Sequence, residues 1–88
     1  FAKAVETFSQ IRRLLEPGAG NYFNLIEFDY YLARCHEKLG QLSLGIECAA
    51  AIVGYEKYVP VAVRERQADK IRYLKRMAAT VETTASTE

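Results

Sequence analysis

Apolar residues recur at intervals of three and four along most of this chain, in runs punctuated by Pro17-Gly18, Gly40 and Pro60. Such intervals trace one stripe of an α-helix, because about 3.6 residues complete a turn. A half-buried strand would instead alternate apolar and polar residues, and that alternation is missing throughout. The reading is therefore all-α, with helices joined by short connections and packed as antiparallel hairpins.

The stripes can be followed helix by helix. Phe1, Ala4, Val5, Phe8, Ile11 and Leu15 share one face of a first helix over 1–16. Pro17-Gly18 stops it, since proline has no amide proton and glycine accepts a left-handed turn. A second helix starts at Asn21 or Asn24. Asn24 with Glu27 has the spacing of a capping box. Its buried stripe is Leu25, Phe28, Leu32, Cys35 and Leu39, and Gly40 ends it. Ser43 is placed to cap a third helix to about Tyr58, with Ile46, Ala49, Ala50 and Val53 among its apolar positions. Gly45 and Gly54 lie inside that helix, each at a cost of roughly 1 kcal/mol against alanine, which points to close packing or to tolerated defects. A fourth helix is expected over 61–79, with Ile71, Leu74, Ala78 and Val81 as a narrow stripe. The tail 80–88 lacks a core-forming pattern and is expected to be disordered.

With 88 residues the chain suits one small domain or part of a larger array. A net charge of +1 gives no global field toward nucleic acid or an anionic membrane. No apolar stretch approaches the roughly 18 residues of a membrane span. The start is amphipathic and charged, without the apolar run of a secretory leader. Cys35 and Cys48 are too few for a disulfide scaffold and read as small buried apolar residues, which favours a reducing, cytoplasmic setting.

The second and third helices resemble a tetratricopeptide repeat, a helix-turn-helix unit of about 34 residues. Leu32-Ala33 matches the leucine-small pair of the first helix of that unit. Gly40 matches the turn glycine, and Gly45 the small residue of the second helix. Leu42 and Ile46 fit the flanking apolar positions. Phe1-Ala2-Lys3-Ala4-Val5 with Phe8 resembles the second helix of a preceding repeat, and Pro17 lies near its closing proline. The likeness covers roughly residues 1–60. The chain departs from the pattern at Asp29, His36, Ala49 and Ile52, and Ala4 and Gly45 stand further apart than one repeat. A generic helical repeat or another hairpin bundle shares the remaining features.

The resemblance implies a right-handed helical repeat fragment: half a repeat over 1–16, one full repeat over 22–58, and a capping helix over 61–79. It also implies a non-enzymatic scaffold that takes a peptide or protein segment into a helix-lined groove. The matching strip on the second helix is Glu27, Tyr30, Arg34, Glu37 and Lys38. Some members of the family hold a terminal carboxylate with a lysine–asparagine clamp; Tyr30 and Arg34 stand at those positions, so the clamp is not reproduced. A self-associating module, or a regulatory domain of a larger protein, is the alternative.

Chemistry finds little support in the residues. Cys35 and His36 are adjacent, so on a helix they point about 100° apart. A Cys35–His36–Cys48 cluster lacks a fourth zinc ligand and any CxxC or HExxH spacing. Glu27, Asp29 and Glu37 share one helix, where they read as caps and surface charge. Gly18-Ala19-Gly20 lacks the Lys-Ser/Thr of a phosphate loop. No catalytic residue, metal or cofactor is expected. The basic run Arg64, Arg66, Lys70, Arg72, Lys75 and Arg76 reads as a solvated face with Asp69 and Arg72 paired, and nucleic acid is not the expected partner.

Overall fold

The structure, a computed structural model, describes residues 2–18 and 20–87, with side chains up to residue 80. The described residues form helices and turns without a strand. In chain order the elements are α1 (Ala2–Leu14), α2 (Tyr22–Lys38), α3 (Leu42–Tyr55), a 3₁₀ turn (Glu56–Tyr58), α4 (Val61–Arg66) and α5 (Ala68–Thr87).

The α2–α3 hairpin is the centre of the fold. Gly40 takes φ +74°, the left-handed conformation that glycine adopts without a steric cost. The Gly40 amide donates to the Glu37 carbonyl at 3.1 Å, and the Gln41 amide to the His36 carbonyl at 2.8 Å. This paired bonding satisfies two of the carbonyls that a helix end leaves open. The chain then reverses. Ala33 meets Gly45 close to the turn, and Asp29 meets Tyr55 further from it, so the two helices run antiparallel. A methyl group placed on Gly45 would come 3.1 Å from the Ala33 carbonyl oxygen and 3.4 Å from Met77 Sδ. Gly45 is thus a point of close approach for α2, α3 and α5, as the small residues of the sequence suggest.

α2 is covered by α1, α3 and α5, and α3 also packs on α5. This position explains why α2 buries more than one stripe. Tyr22, Leu25, Ile26, Asp29, Leu32, Ala33, Cys35 and His36 are all buried on it. Leu25, Ile26, Ile52 and Leu74 are completely withdrawn from water. Each such aliphatic side chain contributes about 1.5–3 kcal/mol of transfer free energy.

Several expectations are corrected. The buried face of α3 is Gly45, Ala49, Ile52 and Tyr55, while Ala50 is exposed and Val53 is 71% exposed. α3 is apolar on nearly every side, so spacing alone does not single out its inner face. Leu39 and Ile11 lie near the surface, at 39% and 37% exposure. α1 buries no residue fully. Met77 joins Ile71 and Leu74 in the core. Phe1 and the side chain of Val81 lie outside the described residues, as do most of the side chains in the tail 80–88 and all of Glu88.

Helix ends also differ. α2 begins at Tyr22, which places Asn24 inside it, and the Glu27 carboxylate is taken by Lys70 instead of closing a box. The Asn21 side chain donates back to the Glu16 carbonyl at 2.9 Å. α3 is preceded by Gln41 as its N-cap, ahead of Ser43. The expected fourth helix breaks at Gln67 (φ −107°, ψ 19°) into α4 and α5. There the Gln67 side chain is buried and donates to the Phe23 carbonyl at 3.2 Å and to Glu27 Oε1 at 3.3 Å. Arg64 returns to the preceding turn, donating to the carbonyls of Val59 at 3.1 Å and Glu56 at 2.7 Å.

Candidate functional site

The strip expected on α2 is divided by α5. Glu27 is half-buried, 3.0 Å from Lys70 Nζ, and its carboxylate also meets Gln67. Tyr30 is half-buried, edge-on to Tyr73 of α5 with ring centroids 5.2 Å apart. Arg34, Glu37 and Lys38 are exposed. Glu27–Lys70 and Tyr30–Tyr73 share one sequence offset, so α2 and α5 lie side by side and run in the same direction.

Arg34 is fixed locally. It donates to the Tyr30 hydroxyl at 3.0 Å, and its guanidinium carbon lies 5.7 Å from that ring's centroid. The bond to Tyr30 pushes the Arg34 pKa further up, so the group is cationic at any ordinary pH. Tyr73 donates to Glu37 Oε1 at 3.1 Å. Burial, and then the bond to Glu37, raises the Tyr73 pKa above the ordinary phenol range. The Lys70 ammonium lies 5.5 Å from the Tyr30 centroid and 5.9 Å from that of Tyr31.

Aromatic contacts run across three helices behind these charges. Phe28 meets Phe8 at 5.7 Å, Phe8 meets Tyr31 at 5.7 Å, and Tyr31 meets Tyr30 at 5.5 Å. Each ring limits the rotation of the next, which holds the face in one shape. Two open depressions flank it. One, of about 260 Å³, is lined by Tyr31, Arg34, Cys35 and Lys38. The other, of about 170 Å³, is lined by Glu37, Leu42, Tyr73, Arg76, Met77 and Thr80.

Helix spacing alone does not reveal the part α5 plays here. Tyr73, the one aromatic within the charged run, was the available signal. The Asp69–Arg72 ion pair expected from their spacing is present on α5. Lys70 and Lys75, however, reach other elements: Lys70 pairs with Glu27 of α2, and Lys75 with Glu56 of the 3₁₀ turn at 3.0 Å.

Asp29 is not surface charge. It is 3% exposed, accepts from Arg12 Nε at 2.7 Å and accepts from the Tyr55 hydroxyl at 2.7 Å. This carboxylate links α1, α2 and α3, and its lone pairs are engaged in that structural role. Cys35 is buried and Cys48 half-buried; burial first, then the charge of Asp29, pushes the Cys48 thiol pKa up, which disfavours the nucleophilic thiolate. His36 Nδ1 lies 2.9 Å from Gln41 Oε1. Among the described residues no group of three or more His, Cys, Asp or Glu is placed to hold a metal ion, and no helix is long and apolar enough to cross a membrane. Compared with protein-family models, with curated proteins and with solved structures, the chain matches none.

Proposed function

We propose that this chain is a non-enzymatic interaction module of tetratricopeptide-like build, whose α2–α5 face receives a peptide or a protein segment. One observation carries the reading: Tyr30 and Glu37 of α2 adjoin Tyr73 of α5, with Arg76 beside Glu37 and with Arg34 and Lys38 beside one another, on an accessible face whose rings are held by packing. Fixed aromatics and a guanidinium suit recognition, because little side-chain freedom remains to be lost on binding. The same-direction run of α2 and α5 also supports a repeat, since first helices of successive units lie that way. In that register α5 is the first helix of a following unit, or a cap.

Selection of displayed random peptides on the folded chain tests this reading. Enriched peptides that bind the parent chain and lose affinity for an Arg34→Ala, Lys38→Ala variant support it. No enrichment, or binding indifferent to both changes, refutes it. Tyr30 is a poor probe, because its ring also packs on Tyr73.

Self-association is a second reading, favoured by Leu14 at 83% and Ile11 at 37% exposure on α1. Water-exposed aliphatic residues on a helix with no fully buried position favour contact with a second copy. Sedimentation across a concentration series distinguishes it: a constant monomer mass removes this reading.

A further inference from the structure

The charges on the α2–α5 face point to one kind of occupant. The side chains of Lys38 and Arg76 are exposed and make no ion pair or hydrogen bond among the described residues. Among the described residues the Arg34 guanidinium has only the neutral Tyr30 hydroxyl as its hydrogen-bond partner. The single carboxylate within this group, Glu37, already accepts from Tyr73. Elsewhere on α5 the cations Lys70, Arg72 and Lys75 each have a carboxylate partner. On this face Arg34, Lys38 and Arg76 thus set three positive charges against the one carboxylate of Glu37.

Resting on the binding face proposed above, we infer that its ligand is an acidic peptide segment, bound extended, with carboxylates on alternate residues. Arg34 and Lys38 are four residues apart on α2, which puts them about 5–6 Å apart on the helix surface. Carboxylates on alternate residues of an extended chain are about 6.6 Å apart, a close match. Arg76 stands across the face on α5 for a further carboxylate. The floor between them is Tyr30 and Tyr73, and Tyr31 walls the neighbouring depression, so apolar side chains between the acids have a surface to lie on. Glu37 lies among the cations and sets the limit on charge density.

A nucleic-acid strand suits this face less well. Its phosphates would meet Glu37, Tyr30 is edge-on to both Tyr31 and Tyr73, and Tyr31 is already stacked on Phe8, which leaves a poor platform for bases.

The test uses peptides enriched on the whole 88-residue chain. Expected are sequences rich in Glu and Asp at alternate positions. Replacing those acids by Gln or Asn in a labelled synthetic copy should weaken binding at least about tenfold, measured by fluorescence anisotropy. Lys38→Glu should weaken it comparably, and Glu37→Gln should tighten it several-fold, with affinity falling as salt rises. The Lys38 side chain makes no hydrogen bond or ion pair among the described residues, so its variants keep the fold, and an unchanged thermal melt confirms that. Enriched peptides without acidic bias, or a Gln copy that binds as well, overturn the acidic ligand while leaving the binding face intact. A 12-nucleotide oligouridylate that binds as tightly as the acidic peptide overturns it in favour of nucleic acid. Failure to enrich any peptide removes the face itself, and this inference with it.

Discussion

The Tyr55 hydroxyl of α3 donates to Asp29 Oδ2 of α2 at 2.7 Å, on a carboxylate almost wholly withdrawn from water. Arg12 of α1 occupies the other side of that carboxylate. One charged group therefore holds three helices, and it does so where α1 has little buried apolar surface of its own.

Removing Arg12 leaves Asp29 buried without its counter-charge. Arg12→Ala should cost about 3 kcal/mol, a large share of the stability of so small a domain. Tyr55→Phe loses a hydrogen bond to a charged group and should cost about 1.5–2 kcal/mol. The triple change Arg12→Met, Asp29→Leu, Tyr55→Phe removes every polar partner together and should be more stable than Arg12→Ala alone. Urea midpoints rank the three variants, and a triple variant below Arg12→Ala contradicts the account.

Alkali should loosen the fold through Tyr55. Burial, and then the Asp29 charge, raises its folded-state pKa far above that of the unfolded chain. The folded form keeps its proton while the unfolded form releases one above about pH 10. Stability attributable to this group is thus complete below that pH and falls as pH rises beyond it, by at most about 1.4 kcal/mol per unit. Tyr73 and Lys70 shift in the same direction. Melting temperature followed from pH 8 to 11 should drop more steeply in the parent chain than in Tyr55→Phe; parallel curves would exclude this origin.

The two glycines of α3 should respond oppositely. Gly54 faces open space, so Gly54→Ala should stabilise by about 0.5–1 kcal/mol through helix propensity. Gly45 faces the Ala33 backbone, so Gly45→Val should destabilise by about 2 kcal/mol through overpacking. Equal effects of alanine at the two sites would show that the α2–α3 approach is looser than 3.1 Å implies.

Gln67 should behave as a core residue despite its polarity. Gln67→Ala removes its bonds to the Phe23 carbonyl and to Glu27 and opens a cavity between α2 and α5, with an expected cost of about 2–3 kcal/mol. Hydrogen exchange should then rise in α5 more than in α3. A variant as stable as the parent chain would mean that the α4–α5 break is not held by this side chain.

Local signals in the sequence sufficed for the hairpin. Gly40 as the turn, Ala33 and Gly45 as the points of close approach, and Leu25, Leu32, Ile71 and Leu74 as core all follow from spacing and from residue size. These depend on backbone conformation and helix period, which neighbours in the chain impose. Of the proposed strip, the Tyr30–Arg34 contact is of the same kind, one helical turn apart.

The remainder depends on residues far apart in sequence. Asp29 reads as a surface carboxylate until Arg12 and Tyr55 arrive from other helices. Gln67 reads as an ordinary helical residue until α2 presents a carbonyl to it. The inner face of α3 is settled by where α2 and α5 lie, since nearly every side of that helix is apolar enough to be buried. Period and propensity are short-range properties and were decided by the chain itself. Pairing of buried polar groups, and the sharing of the candidate face between α2 and α5, are long-range properties that only packing could decide.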